Sequence, residues 1–221
     1  MVGDMGHRAF KKRLYPEFAR IAQAMASDKR LELLDLLAQA PRHVEALAEE
    51  TNMSVANVSQ HLQVLRAAHL VEADRAGNRV VYCLSGPDIL HLWLSLRGVA
   101  ERRLPEIKAI VEAFAVPGAE GEPLSHQRLS EEIAADRVVL LDVRPSIEFE
   151  AGHVPGALSV PPDELAARIP ELPRDRTIVA YCRGPYCLFA DEAVALLREH
   201  GFDAHRFEGG WPEWALAPSS A

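Results

Sequence analysis

Cysteine is scarce in this chain, with three among 221 residues. So small and odd a count excludes a disulfide framework as the organiser of the fold. It points instead to a reducing compartment, the cytoplasm. Aromatic residues are also few, at 6%, but 48% of the chain is hydrophobic. That is enough to bury a core in one large domain or in each of two small ones. Charged residues make up an ordinary 25%, which argues against wholesale disorder. Long apolar runs are missing. No stretch approaches the roughly 20 apolar residues of a bilayer-spanning helix. The opening segment MVGDMGHRAFKKRLYPEFAR has none of the apolar core of an export signal. No membrane partner is expected.

The net charge of −8 argues at first against a nucleic-acid partner, but it is unevenly spread. Residues 1–116 hold 15 Lys+Arg against 14 Asp+Glu, whereas residues 117–221 hold 9 against 18. The first half is near neutral with local basic clusters, and the second is acidic. The break between them coincides with the clearest linker composition in the chain, VPGAEGEP from residue 116. This divides the chain into residues 1–115, a linker at 116–124 and residues 125–221.

Residues 7–115 read as mostly helical. Leu31, Leu34, Leu37 and Ala38 recur at helical spacing, with Ser27 and Asp28 placed to cap. Pro41 stops that helix, and Val44, Leu47 and Ala48 mark a short second one. Thr51, Asn52 and Met53 form a tight connection to a third helix, capped by Ser54 and burying Val55, Val58, Leu62 and Leu65. Residues 70–73 and 79–84 alternate as strands about Gly77-Asn78, a strong hairpin signal. An apolar-striped helix spans 88–114, with Pro105 kinking or dividing it.

Helix, tight turn, helix and glycine-tipped hairpin in this order form a winged helix-turn-helix pattern. The third helix must bury one face and present the other to a DNA major groove. Asn57, Ser59, Gln60 and His61 lie off the apolar stripe, with Ser54 at the helix start. Asn and Gln suit adenine edges, and Ser suits groove acceptors or phosphate. Arg75, Asn78 and Arg79 are the candidate wing contacts to phosphate. The run NVSQHLQVLRAAHLVEADRAGNRVVYCL resembles the ArsR/SmtB family of small bacterial repressors, and the resemblance covers roughly residues 15–112. It implies binding to double-stranded operator DNA as a homodimer. Phe18, Ile21, Leu92, Trp93, Leu96 and Val99 would form the apolar seam. The metal-sensing members carry ligands that this chain lacks: RHVEALAEE has no thiol, and Asp88 and His91 supply only two of the three or four ligands needed. No metal and no cofactor are expected. Cys83, alternating with Val81 on a wing strand, is expected to pack.

Beyond the linker the period changes. Apolar runs at 138–141 and 177–181 suit buried parallel strands and alternate with helical patterns at 126–135, 163–169 and 188–200. This is α/β organisation with a mostly parallel sheet. In TIVAYCRGPYCLFADEAVALL, a strand ends at Tyr181 and a helix starts near Leu188. The loop between begins with Cys182 and ends with Cys187. Its backbone N–H groups and the positive end of the helix favour a thiolate or a bound anionic sulfur species. Arg183 adds positive charge, Gly184 conformational freedom, and Pro185 and Tyr186 complete the turn.

Residues 125–216 resemble a single rhodanese domain: LLDVRPSIEFEAGHVPGAL, CRGPYC and EGGWPEW match its three motifs in order. The resemblance implies sulfurtransferase chemistry through a persulfide on Cys182. Asp142 and Arg144 correspond to a family pair expected to act structurally, and His153 is read likewise. The family's usual arginine at the fifth position after the nucleophile is Cys187 here, and its glycine at the third is Pro185. A second thiol there can attack a modified Cys182 and close a reversible bridge.

The sequence therefore predicts a dimeric, DNA-binding repressor whose rhodanese-like domain senses reactive sulfur or another thiol-reactive small molecule through Cys182 and Cys187. Two other readings stand beside it. One is a working sulfurtransferase with an autoregulatory DNA-binding domain. The other is a constitutive regulator on an inactive rhodanese scaffold.

Overall fold

The computed structural model describes residues 2–77 and 79–217. The chain divides into two compact units, residues 1–93 and 94–221, taken here in turn. No helix among the described residues is long and apolar enough to cross a membrane.

The first unit opens with α1 (Val2–Met25), which runs through Pro16. Ser27 takes an extended conformation and starts α2 (Asp28–Leu37), without a capping bond from its side chain. The two-residue strand β1 (Arg42–His43) follows; it is too short to leave an alternating pattern in the sequence. His43 caps α3 (Val44–Glu50), its Nδ1 accepting the Ala46 N–H at 3.1 Å. Asn52, at φ 51°, makes the turn to α4 (Val55–Ala67). The expected cap is present there, with Ser54 Oγ accepting the Asn57 N–H at 3.2 Å.

Val58, Leu62 and Leu65 of α4 are fully buried, but Val55 is 46% exposed. Side chains lean toward a helix's N-terminus, so this first-turn residue points past the edge of the core. The hairpin pairs β2 (Val71–Ala76) with β3 (Arg79–Leu84), from Val71 opposite Leu84 to Ala76 opposite Arg79. Gly77 turns it at φ 65°. Asn78, expected in that turn, lies outside the described residues. The sheet order is β1-β3-β2. The expected 88–114 helix is two helices, α5 (Pro87–Arg103) and α6 (Pro105–Ala113). Pro105 begins the second, where its missing N–H costs nothing. The core packs Leu33, Leu34, Leu47, Leu62, Leu65 and Tyr82 together with Ile89 of α5.

The second unit is an α/β layer structure. Its elements after α6 are α7 (His126–Ala134), β4 (Val138–Asp142), α8 (Ser146–Ala151), β5 (Leu158–Ser159), α9 (Pro162–Arg168), β6 (Thr177–Cys182), α10 (Phe189–Glu199), β7 (Ala204–Gly210) and α11 (Trp211–Leu216). The four strands are all parallel in the order β5-β4-β6-β7. Alternation along β6 feeds two cores, as a strand buried on both faces requires. Ile178, Ala180 and Cys182 join α9 and α10 on one side. Val179 and Tyr181 join α7 and α11 on the other. The linker-like stretch is held to this unit. Arg198 Nη1 donates to the carbonyls of Gly118 and Glu120 at 3.2 and 2.6 Å, and Leu124 is buried beside Phe207 in a parallel bridge. Composition alone could not reveal this, because the guanidinium that captures the segment comes from α10.

Candidate functional site

On the first unit, Asn57 and Gln60 of α4 are exposed and Ser59 and His61 are half-buried, off the Val58, Leu62, Leu65 stripe. Ser54 is exposed, and its oxygen is engaged in capping α4. Arg75 and Arg79 stand exposed on either strand of the hairpin. Arg79 Nη1 lies 3.4 Å from His43 Nε2, which braces the wing against the start of α3. The helix therefore offers amides and the wing offers cations. Cys83 faces the acidic side chains of the hairpin; burial first, then Asp74 and Glu72, raise its thiol pKa.

Of the expected seam, Phe18, Leu92, Leu96 and Val99 are exposed. Ile21 and Trp93 instead pack against the unit's own core, and Trp93 Nε1 donates to Asp35 at 2.8 Å. An indole N–H seeks a partner when half-buried, and Asp35 on α2 supplies it.

On the second unit, Cys182 and Cys187 are joined by a disulfide, with their Cα atoms 6.2 Å apart. Cys182 is buried at the end of β6, and Cys187 packs half-buried over the same core. Gly184 carries the turn at φ 154°, a region open mainly to glycine. The Cys187 N–H donates to its carbonyl at 3.3 Å. Arg206 also holds that carbonyl, through Nη2 at 3.1 Å, while its Nη1 pairs with Asp191.

Arg183 does not face a ligand position as a free cation. It pairs with Glu148 of α8, Nη2 to Oε1 at 2.6 Å, and Glu148 is completely buried. Asp142 and Arg144 form a fully buried pair, Nη2 to Oδ2 at 2.6 Å, and Arg144 also donates to the Gly152 carbonyl. Tyr181 Oη donates to Asp142 at 2.6 Å and accepts the Val154 N–H. Burial first, then the Asp142 charge, holds its phenol far above the ordinary range. The cluster ties the end of β4 to the end of β6 and to the Gly152–Val154 turn. His153 stacks on Phe149 with Nδ1 at its carbonyl.

A second set of contacts surrounds the loop from outside. Tyr186 Oη donates to Glu101 of α5 at 2.7 Å. Arg97, one turn earlier on α5, pairs with Glu101 and Glu213 and lies over the Tyr186 ring. Burial first, then the hydrogen bond to Glu101, pushes the Tyr186 phenol up to about 12, so it remains a donor at neutral pH. Glu213 also accepts the Gly210 N–H at 2.8 Å. A Cβ on Gly210 would sit 2.5 Å from the backbone of Cys182, Arg183 and Gly184. An open cleft of about 440 Å³ beside Tyr186 is lined by Arg97, Glu101, His126, Glu208 and Glu213.

Sequence reasoning missed Glu148, Arg97, Glu101, Glu213 and the Gly210 contact. Each partner lies more than twenty residues from the loop residue it touches, and helical periodicity assigns such carboxylates to solvent. The one available signal was the Gly-Gly pair in EGGWPEW, since adjacent glycines at a strand end mark close backbone approach.

A winged helix-turn-helix and a parallel α/β unit with a cysteine loop at a strand end define a two-module regulator. The family description "Bacterial regulatory protein, arsR family" matches residues 27–73, and "Rhodanese-like domain" matches residues 125–217. The HTH-type transcriptional regulator Rv0324 of Mycobacterium tuberculosis is 42% identical over 207 residues, 94% of this chain and 91% of that protein. A sulfurtransferase of Allochromatium vinosum is 32% identical over 94 residues, 42% of this chain and 86% of that protein. The homodimeric winged helix-turn-helix domain of Mb0332 from Mycobacterium bovis is 41% identical, covering 42% of this chain and 87% of that chain, with a TM-score of 0.41. The chain belongs to the ArsR family of helix-turn-helix transcriptional regulators, and its second half is a rhodanese-like domain.

Proposed function

We propose that this regulator is a cytoplasmic, homodimeric repressor of double-stranded operator DNA, released or retained according to the state of the Cys182–Cys187 loop. The observation that carries the reading is the convergence of the two cysteines at the end of β6. The Cys182 thiolate attacks the sulfane sulfur of a persulfide or polysulfide, takes that sulfur and expels the donor thiolate. Cys187 then attacks Cys182 Sγ, the Cys182 Sγ–sulfane bond breaks, and hydrosulfide leaves. Two thiols are oxidised to a disulfide while the sulfane sulfur is reduced to sulfide. Any cellular dithiol reductant reverses the bridge.

Asn57 and Gln60 read base edges, with Ser54, Ser59 and His61 flanking them. Arg75, Asn78 and Arg79 contact phosphate on either side. The exposed side chains of Phe18, Leu92, Leu96 and Val99 meet a second copy. Sites flanking the gene are tested by gel shift with reduced protein, then after tetrasulfide treatment. The parent is expected to change its DNA affinity on bridging. Cys182→Ser and Cys187→Ser variants that respond as the parent does would overturn the reading.

A second reading, sulfurtransferase turnover, draws on the likeness to the Allochromatium sulfurtransferase. Thiosulfate turnover abolished by Cys182→Ser would establish it. Three features oppose rapid thiosulfate use: Pro185 has no N–H, Arg183 is paired with Glu148, and the neighbouring cleft holds three carboxylates, Glu101, Glu208 and Glu213, against the one guanidinium of Arg97.

A further inference from the structure

We propose that Tyr186, Glu101 and Arg97 form the readout of the cysteine loop, positioning residues that convert its state into a displacement of α5. The inference rests on the sensor reading above and names the residues through which that site acts.

Tyr186 is the residue immediately before Cys187, so closing or opening the bridge moves its backbone directly. Its phenol is bonded to Glu101 at 2.7 Å, and the Arg97 guanidinium lies 5.9 Å from its ring centroid. Arg97 extends the connection to the other side of the loop. It pairs with Glu213, which holds the Gly210 N–H, and Gly210 lies against the backbone of Cys182, Arg183 and Gly184. Both ends of the loop thus converge on two side chains of one helix.

The helix itself shows why those two matter. Ile89, Trp93, Arg97 and Glu101 follow one another at four-residue steps, each beside the next along a stripe that winds slowly around α5. Ile89 and Trp93 belong to the core of the first unit, and Trp93 is bonded to Asp35 of α2. The stripe turns from apolar to charged one turn later, where Arg97 and Glu101 meet the loop. The helix is unbroken from Pro87 to Arg103. A push on its second half is therefore carried as axial or rotational displacement rather than absorbed at a kink. Isolated surface pairs contribute little to stability. Their use here is to favour one loop state, which requires only a difference in contact between the two states.

The test uses the full chain and the DNA site the parent binds, in dithiol and tetrasulfide-bridged forms. Mass spectrometry of the loop verifies the bridge in every sample. A coupling of about tenfold in affinity is expected for the parent. Tyr186→Phe removes only the phenol oxygen, and Glu101→Ala removes its acceptor. Each is expected to form the bridge as the parent does while its affinity change shrinks to about twofold or less. The double variant loses no more than either single one. Hydrogen exchange over residues 94–103 should differ between the two forms of the parent and be alike in both forms of Tyr186→Phe. Variants that bridge and still show the full affinity change overturn this inference while leaving the sensor reading standing. A parent that bridges with no change in affinity overturns the sensor reading and this one with it.

Discussion

Arg183 donates through Nε to both carboxylate oxygens of Glu148, at 2.9 and 3.1 Å, and Glu148 has no exposed surface. The cation beside Cys182 is thus neutralised by a carboxylate from α8. Glu148→Gln removes the buried carboxylate that pairs with Arg183, and the second unit is expected to lose about 3 kcal/mol in urea denaturation. The same change removes the negative charge paired with the residue next to Cys182. Its reduced thiol should react faster with a disulfide reagent at neutral pH. An unchanged rate would show that Arg183 does not act on the thiol.

Gly210→Ala places a Cβ against the loop backbone, which must shift. Overpacking of this kind costs about 1–3 kcal/mol. The three atoms nearest that Cβ all belong to the loop, so the displacement is expected there. The variant should form the Cys182–Cys187 bridge more slowly under tetrasulfide, measured by mass spectrometry of quenched samples. A parent-like rate, with lowered thermal stability, would show that β7 gives way instead.

Asp203 accepts from the Thr177 hydroxyl at 2.6 Å, and this bond first, with His205 contributing, lowers its pKa. A carboxylate with a depressed folded pKa adds stability that is fully present above the unfolded value of about 3.9. That stability is lost as pH falls through the folded value. Denaturation midpoints measured from pH 5 downward should decline more steeply in the parent than in Asp203→Asn. Parallel curves would remove Asp203 from the account.

The two basic wing residues and the α4 amides should fail differently. Arg75→Ala and Arg79→Ala are expected to weaken binding to specific and unrelated DNA alike, and each to reduce the salt slope by about one. Gln60→Ala is expected to cost about 1–3 kcal/mol on the specific site alone. Fluorescence anisotropy over a salt series separates the cases. An Arg79 variant that loses specificity instead would place the wing in a groove.

The sequence by itself determined both modules, because their signals are local. Ser54 before the Val58, Leu62, Leu65 stripe, glycine at the hairpin tip and apolar runs at 138–141 and 177–181 each depend on neighbours within a few residues. It also located the two cysteines five residues apart at the end of an apolar strand. Short β1 and α8 left no periodic trace, and Val55 followed the stripe in sequence but not in burial. Only the tertiary structure decided that the thiols meet, that Arg183 is neutralised by Glu148, and that the linker-like stretch is pinned by Arg198. It also decided that Tyr186 and Glu101, 85 residues apart, share a hydrogen bond. Secondary structure follows from local dihedral preference and burial period, whereas pairing of distant charges depends on which surfaces the fold brings together. A carboxylate on a helix carries no mark in sequence of the guanidinium or phenol it will meet.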